Sequence, residues 1–374
     1  MKSSVPLPEA EEAKLSRVLR DPAVCRALLA QLEEALAGRE LTFMEVCGTH
    51  TVAIYQSGLR SLLPGNVKHL SGPGCPVCVT ADSEAAMFLE LAARPGVIIA
   101  TFGDLLRVPG PDGTSLKHYM AKGADVRIVY SQLEALEIAR ANPDKKVIFL
   151  GVGFETTAPG AACAILRAAA EKLDNFLLLS MHKLAPPAIE MIVAAPDCGI
   201  DAFLLPGHVA TVTGLEPFQF LADVWKKPGV VGGFEPADIL LALCAIAEQL
   251  RDGQPKIANA YKRAVDDAGN PKARGLVDDV FEVVPAVWRG LGEIPASGLA
   301  IRPEYRRFDA AAVLGLSAPR VAPPAGCKCG DILAGRLSPP QCPLFGKKCL
   351  PQNPVGPCMV STEGSCAAHF RYGL

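Results

Sequence analysis

The sequence predicts an α/β fold: two parallel-sheet α/β domains followed by a helical, loop-rich C-terminal domain. Three observations carry that expectation. From Leu41 to Gly214 one pattern recurs: a short β-branched or apolar run, a Gly/Pro or polar turn, then a helical segment. At 374 residues the chain exceeds what one ordinary core supports, so two or three domains are expected. After Trp225 the texture changes, and from Pro285 onward Gly, Pro and Cys dominate with little periodicity.

Taken in order, residues 1–40 read as a charged helical extension without a motif. Strands are expected at 42–46, 97–101, 125–130, 147–151, 176–180 and 202–205, where apolar and β-branched residues run between turn signals. Between several of them lie amphipathic helices at 82–93, 133–141 and 161–173. Ser131 and Glu134 supply a capping box for the second. Strands alternating with helices of this length imply parallel pairing. Two sheets fit the length better than one, with a break near 142–146. The expected division is therefore 41–142 for the first α/β domain, 143–230 for the second and 231–374 for the C-terminal domain. Residues 236–251 and 257–268 read as helical. The loop-rich remainder lacks an apolar core of its own, so something else must hold it, and its cysteines are the candidates.

Half the residues are apolar and a fifth charged, with 37 basic against 39 acidic side chains. No long basic run appears, which argues against nucleic acid as a partner. The opening residues 1–6 have no apolar signal core. The longest apolar stretch, 239–247, is about half a membrane span. A cytoplasmic protein without a membrane partner is expected. In a reducing compartment, 13 cysteines point to metal and redox work and not to a disulfide framework.

The cysteines fall into groups. Cys25, Cys163, Cys198 and Cys244 lie in Ala/Leu/Ile-rich contexts and read as small buried hydrophobes. Cys47 falls where the first strand ends, just before a helix and three residues from His50. That position predicts a depressed thiol pKa and a competent nucleophile or metal ligand. The plainer reading is a half-buried cysteine beside a capping threonine. Cys75 and Cys78 form a C-x-x-C after Gly72-Pro73-Gly74, so the pair is expected to be presented and not packed. Its spacing allows a dithiol/disulfide couple or half of a zinc or iron site.

At other strand ends stand Thr101-Phe102-Gly103-Asp104, Gly153-Phe154-Glu155-Thr156-Thr157, Met181-His182-Lys183 and Leu205-Pro206-Gly207-His208. Glu155, His182 and His208 are expected to line one crevice as acid/base groups or as hydrogen-bond partners of a metal site. The bland alternative is helix capping and satisfied backbone carbonyls. Gly151-Val152-Gly153 does not complete a dinucleotide loop. Finally, Cys327, Cys329, Cys342, Cys349, Cys358 and Cys366 crowd the terminal segment. Four thiolates hold an iron–sulfur cluster. Cys327, Cys342, Cys349 and Cys366 are separated by fourteen, six and sixteen residues, wide spacing that suits loops folded around a cluster. Cys329 and Cys358 would then be left over as buried or spare thiols. A structural zinc site with four cysteine ligands remains the alternative.

Together these segments closely resemble the HypD family, proteins that help assemble the Fe(CN)2CO group of [NiFe]-hydrogenases. The likeness rests on Glu45-Val46-Cys47-Gly48-Thr49-His50, Gly72-Pro73-Gly74-Cys75-Pro76-Val77-Cys78, Gly153-Phe154-Glu155-Thr156-Thr157, Leu205-Pro206-Gly207-His208 and Gly356-Pro357-Cys358-Met359-Val360-Ser361-Thr362-Glu363-Gly364. It spans the chain from about residue 40 to the end. The resemblance implies two α/β domains and a third bearing a [4Fe–4S] cluster on Cys327, Cys342, Cys349 and Cys366. It also implies iron held at Cys47 together with a HypC-type small chaperone, and a redox-active Cys75/Cys78 pair. A HypE-type partner would donate the cyanide. His50, Glu155 and His208 would orient ligands or move protons. The expected role is a cytoplasmic maturation scaffold with redox activity and not a conventional turnover enzyme. Two other classes compete: a free-standing cluster-linked thiol–disulfide reductase, and a metabolic α/β enzyme with a zinc tail.

Overall fold

The computed structural model of the chain describes residues 9–373. The first eight residues of the expected extension, including the segment read for a signal core, lie outside the described residues. The rest of that extension is two helices, Glu9–Leu19 and Pro22–Leu36. Asp21 caps the second by accepting from the Ala23 N–H at 2.7 Å, and Pro22 opens its first turn, where a missing N–H costs nothing.

Strands β1 (Leu41–Glu45), β2 (Val67–Ser71), β3 (Val97–Thr101), β4 (Asp125–Ile128), β5 (Lys146–Gly151), β6 (Phe176–Ser180), β7 (Ala202–Pro206), β8 (Gly229–Gly232) and β9 (Ile257–Asn259) build two parallel sheets. The first has the order β2-β1-β7-β8-β9 and the second β4-β3-β5-β6. The expected α/β class and parallel pairing are borne out. The expected boundaries are not. Strands on both sides of residue 142 share the second sheet, because β3 pairs with β4 and with β5. The chain then returns to the first sheet, where β7 pairs with β1. The second sheet is thus inserted into the first. Residue 231 is no boundary either, since β8 and β9 pair and the helix Pro236–Asp252 covers the first sheet. Residues 257–268 carry β9 and turns, where a helix was expected, because Ile257 and Ala258 are captured by pairing with Gly229 and Val230.

An antiparallel hairpin, β10 (Phe281–Trp288) with β11 (Gly292–Ile301), follows. Its register shifts between Val284 and Ala286, where Ala296 on the opposite strand takes φ +50°. Among the described residues no helix is long and apolar enough to cross a membrane.

Alternation of side chains along each strand sorts them into three cores. Leu41, Phe43, Leu204 and Val230 face the helices Pro22–Leu36 and Pro236–Asp252. Ile98, Phe149 and Leu178 face the helices Gln132–Ala141 and Ala158–Glu171. Met44, Phe203 and Val231 of the first sheet meet Ile99, Ile148 and Leu177 of the second in a central core. The terminal segment shares that core through Ile332, Leu333, Met359 and Val360, all at most 2% exposed. It therefore does not depend on its cysteines alone. Ser131 does cap its helix, accepting from Leu133 N–H at 3.1 Å, while Glu134 reaches back to Tyr130 N–H.

Leu333 is fully buried, so Leu333→Ala should cost about 2–5 kcal/mol. Urea unfolding of the metal-free chain measures it. A cost below about 1 kcal/mol would mean that apolar packing does not anchor the tail.

Candidate thiol and metal site

β1 ends at Glu45, and Cys47 takes the N-cap position of the helix Gly48–Gln56 with φ −144° and ψ 122°. The Glu45 carboxylate, wholly buried, fixes this turn. It accepts from the Cys47 N–H at 3.0 Å through Oε2 and from the Thr51 hydroxyl at 2.5 Å through Oε1. The loop that carries the C-x-x-C lies across the turn. Gly48 N–H donates to the Gly74 carbonyl at 2.9 Å, and a Cβ on Gly74 would stand 2.2 Å from the Cys47 nitrogen. Only glycine allows that approach.

The Cys47 thiol is buried, and burial pushes its pKa up to about 12. The Glu363 and Glu45 charges push the same way, while the backbone N–H groups of His50 and Thr49 oppose them. The expected depression is thus overturned. A helix N-terminus favours the thiolate locally, but removing sulfur from water outweighs it.

His50 is fully buried and donates Nε2–H to the Gly233 carbonyl at 3.0 Å. Its Nδ1 has no partner among the described residues. Burial lowers its pKa to about 4, so the ring is neutral and Nδ1 is an idle acceptor. Phe234 lies between His50 and His208, with ring centroids 4.6 Å and 4.0 Å away. His208 is exposed, and partial burial lowers its pKa.

Cys75 caps the short helix Pro76–Val79, and Cys75 and Cys78 are joined as a disulfide with Cα atoms 5.2 Å apart. The pair is 3% and 0% exposed, packed into the central core with Val77 and Val79. The expectation of a presented pair is corrected. The glycines and proline before it do not open the loop; they let it lie flat on the Cys47 turn.

A crevice of about 320 Å3 opens beside this helix, lined by Pro76, Val77, Asp104, Phe154, Thr157 and Glu363. The terminal segment clamps it. Thr49 donates to Glu363 at 2.7 Å, Ser361 to Asp104 at 3.1 Å and Arg107 to the Val360 carbonyl at 3.0 Å. Glu155, between the crevice residues Phe154 and Thr156, is buried. It accepts from Ala185 N–H at 2.8 Å through Oε1, and its Oε2 has no partner among the described residues. Burial raises its pKa to about 7. His182 is buried against Ser180 and Phe281, and burial followed by the Lys183 charge lowers its pKa to about 3. The single crevice expected for Glu155, His182 and His208 is not formed. Glu155 and His182 follow β5 and β6 of the second sheet, whereas His208 follows β7 of the first and shares Phe234 with His50.

All six terminal cysteines line one cavity with Ile332, Leu344, Phe345 and Met359. Cys329 and Cys358, expected to be spare, stand there 3.1 Å apart. The hydrogen bond they share raises the pKa of Cys358 well above the thiol range and lowers that of Cys329. Burial pushes Cys327 to about 11 and Cys366 well above the usual value, with neighbouring thiolates adding to both. Among the described residues no group of three or more His, Cys, Asp or Glu surrounds one ion-sized point. Soft donors in an apolar wall, with Cys327, Cys358 and Cys366 resisting ionisation, fit a cationic polynuclear cluster that replaces their protons. Of the four cysteines read as buried hydrophobes, Cys244 is buried and bonds the Leu28 carbonyl, while Cys25, Cys163 and Cys198 are half-buried.

The sequence assigned no role to His69, Asp82 or Arg289, and Glu45 and Glu363 entered only as members of motifs. His69 has a side chain 2% exposed and lies 3.7 Å from Glu45. A charge ending an otherwise apolar strand was the available signal for Glu45.

A family model described as "Hydrogenase formation hypA family" (HypD) matches residues 23–373. The chain is similar to the hydrogenase maturation factor HypD of Rhizobium leguminosarum bv. viciae, 45% identical over 363 residues, 95% of this chain and 94% of that protein. It is 46% identical to that of Escherichia coli K12 over 337 residues, 90% of each chain. To that of Rhodobacter capsulatus it is 43% identical over 371 residues, 96% of this chain and 98% of the relative. The chain belongs to the HypD family of hydrogenase maturation factors.

Proposed function

We propose that this chain is a scaffold and electron conduit for assembling the Fe(CN)2CO group of [NiFe]-hydrogenase. The iron under construction is its cargo, held at Cys47 and shared with a HypC-type small chaperone. A HypE-type protein donates the cyanide. Cys75 and Cys78 exchange the electron pair, and Cys327, Cys342, Cys349 and Cys366 hold a [4Fe–4S] cluster. One observation carries this reading: the disulfide helix (Pro76, Val77) and the terminal segment (Ser361, Glu363) line one crevice, and the 2.7 Å bond from Thr49 to Glu363 ties the Cys47 turn to that segment.

When bound, the cluster supplies electrons one at a time. The Cys75–Cys78 disulfide takes up two electrons and two protons to become two thiols. Their reoxidation returns both, which matches reductive release of cyanide from a thiocyanate. The S–CN bond breaks, the sulfur leaves as a thiol, and carbon keeps an electron pair to bind iron. One proton goes to the leaving sulfur and the chain must take the other. Glu155, with a pKa near 7 and an Oε2 that has no partner among the described residues, is the buried group suited to that, while His50, kept neutral by burial, offers Nδ1 as a hydrogen-bond acceptor. His208, exposed at the end of the first sheet, is the one a docked partner can reach.

Cys47→Ala should abolish loading of the Fe(CN)2CO unit while the visible absorption of the cluster persists, read by infrared and optical spectra of the purified chain. Continued hydrogenase maturation in that variant would exclude Cys47 as the iron holder. Glu155 also predicts a pH effect. Its folded pKa, about 7, exceeds the ordinary 4.5, so its neutral form is favoured by folding. The stability is fully present below the ordinary value and is lost as pH rises through about 7. Glu155→Gln should remove up to about 3 kcal/mol of that decline between pH 5 and 8, measured by urea unfolding. An unchanged pH profile would contradict the assignment.

A further inference from the structure

The tip of the β10–β11 hairpin is wedged between the disulfide helix and the cysteine cavity. On one side Arg289 N–H donates to the Val79 carbonyl at 2.9 Å, and Trp288 bridges Thr80. On the other, Gly290 abuts Gly330 so closely that a Cβ on Gly330 would lie 2.1 Å from the Gly290 carbonyl oxygen. The Arg289 side chain is 3% exposed, with Nη1 2.6 Å from Asp82 Oδ1. Neither terminal nitrogen makes a hydrogen bond of sound angle among the described residues, so the Asp82 contact is a Coulombic pair and the donors stay idle. The guanidinium reaches the wall of the cavity at Gly356. A Cβ there would stand 3.2 Å from Cys327 Sγ and 3.9 Å from Arg289 Nη2. A buried cation with idle donors is costly unless something negative faces it. Its one ion-pair partner among the described residues, Asp82, is poorly aligned, and beyond it lies the sulfur of Cys327.

We infer that Arg289 is the fixed counter-charge of the metal–thiolate group held by the terminal cysteines, placed to set its reduction potential. This rests on the cluster reading above. One-electron reduction adds a negative charge to the group, and a desolvated cation beside it favours the reduced form and raises the potential. Asp82 moderates that effect from the far side of the guanidinium. Arginine suits the task because it keeps its charge at any working pH and presents a planar fork of donors.

The test uses anaerobically purified holoprotein with Arg289→Gln, Asp82→Asn and both together. Iron and sulfide content is measured first, then the midpoint potential by titration with a low-potential reductant. Arg289→Gln should lower the one-electron reduction equilibrium at least tenfold, ~59 mV. Asp82→Asn should shift it the other way. Arg289→Gln leaves Asp82 buried and unpaired; where that variant fails to fold, the double variant compared with Asp82→Asn alone decides, and it should have the lower potential. Wild-type protein without iron and sulfide would overturn the cluster reading and this inference with it. Wild-type metal content with a potential unmoved by loss of Arg289, or moved the same way by both single variants, would overturn the inference alone.

Discussion

Sulfur kept from water is the constraint on which this molecule turns. Burial holds Cys47 near 12 and Cys327 near 11, and it drives Cys366 well above the ordinary thiol range. Thiols in that state are poor free nucleophiles. They become thiolates when a cation displaces the proton, which couples metal binding to the packing around it. The fold supplies the dryness: two parallel sheets close over a central core, and the terminal segment and the hairpin tip complete it. The Cys75–Cys78 pair and the terminal cysteines then fall within one continuous apolar interior.

Buried charge is admitted into that interior sparingly, and each instance joins elements far apart in sequence. Glu45 binds the turn that carries Cys47. Glu363 ties the terminal segment to Thr49. Lys183 meets Glu84, whose carboxyl burial pushes up and the ammonium pulls back down. Arg289 meets Asp82 between the disulfide and the cysteine cavity. Such pairs add little net stability over apolar packing, but removing one partner is expensive, so they fix which segments must meet.

Much of the first layer was legible in the sequence. β3 and β6 match the expected strands residue for residue, because both are apolar runs bounded by turns. β2 and β8 escaped: Val67-Lys68-His69-Leu70-Ser71 shows no clean alternation, and two glycines dilute β8. The domain boundary failed for a different reason. Parallel pairing is non-local, and nothing near residue 201 announces that Asp201 returns to Thr42 across 159 residues. At the site, Cys47, the C-x-x-C pair and the terminal cysteines were legible as chemistry. Their burial was not, because it depends on which distant segments cover them. The same holds for Arg289, an unremarkable residue in a hairpin turn until Val79 and Gly330 close on it.

The claim that these buried thiols are metal-charged in the working protein is tested most directly by anaerobic purification with iron, sulfide and zinc analysis. Iron and labile sulfide in equal amounts, about four of each per chain, with little zinc, is the predicted result. A colourless chain carrying one zinc and no sulfide would contradict it.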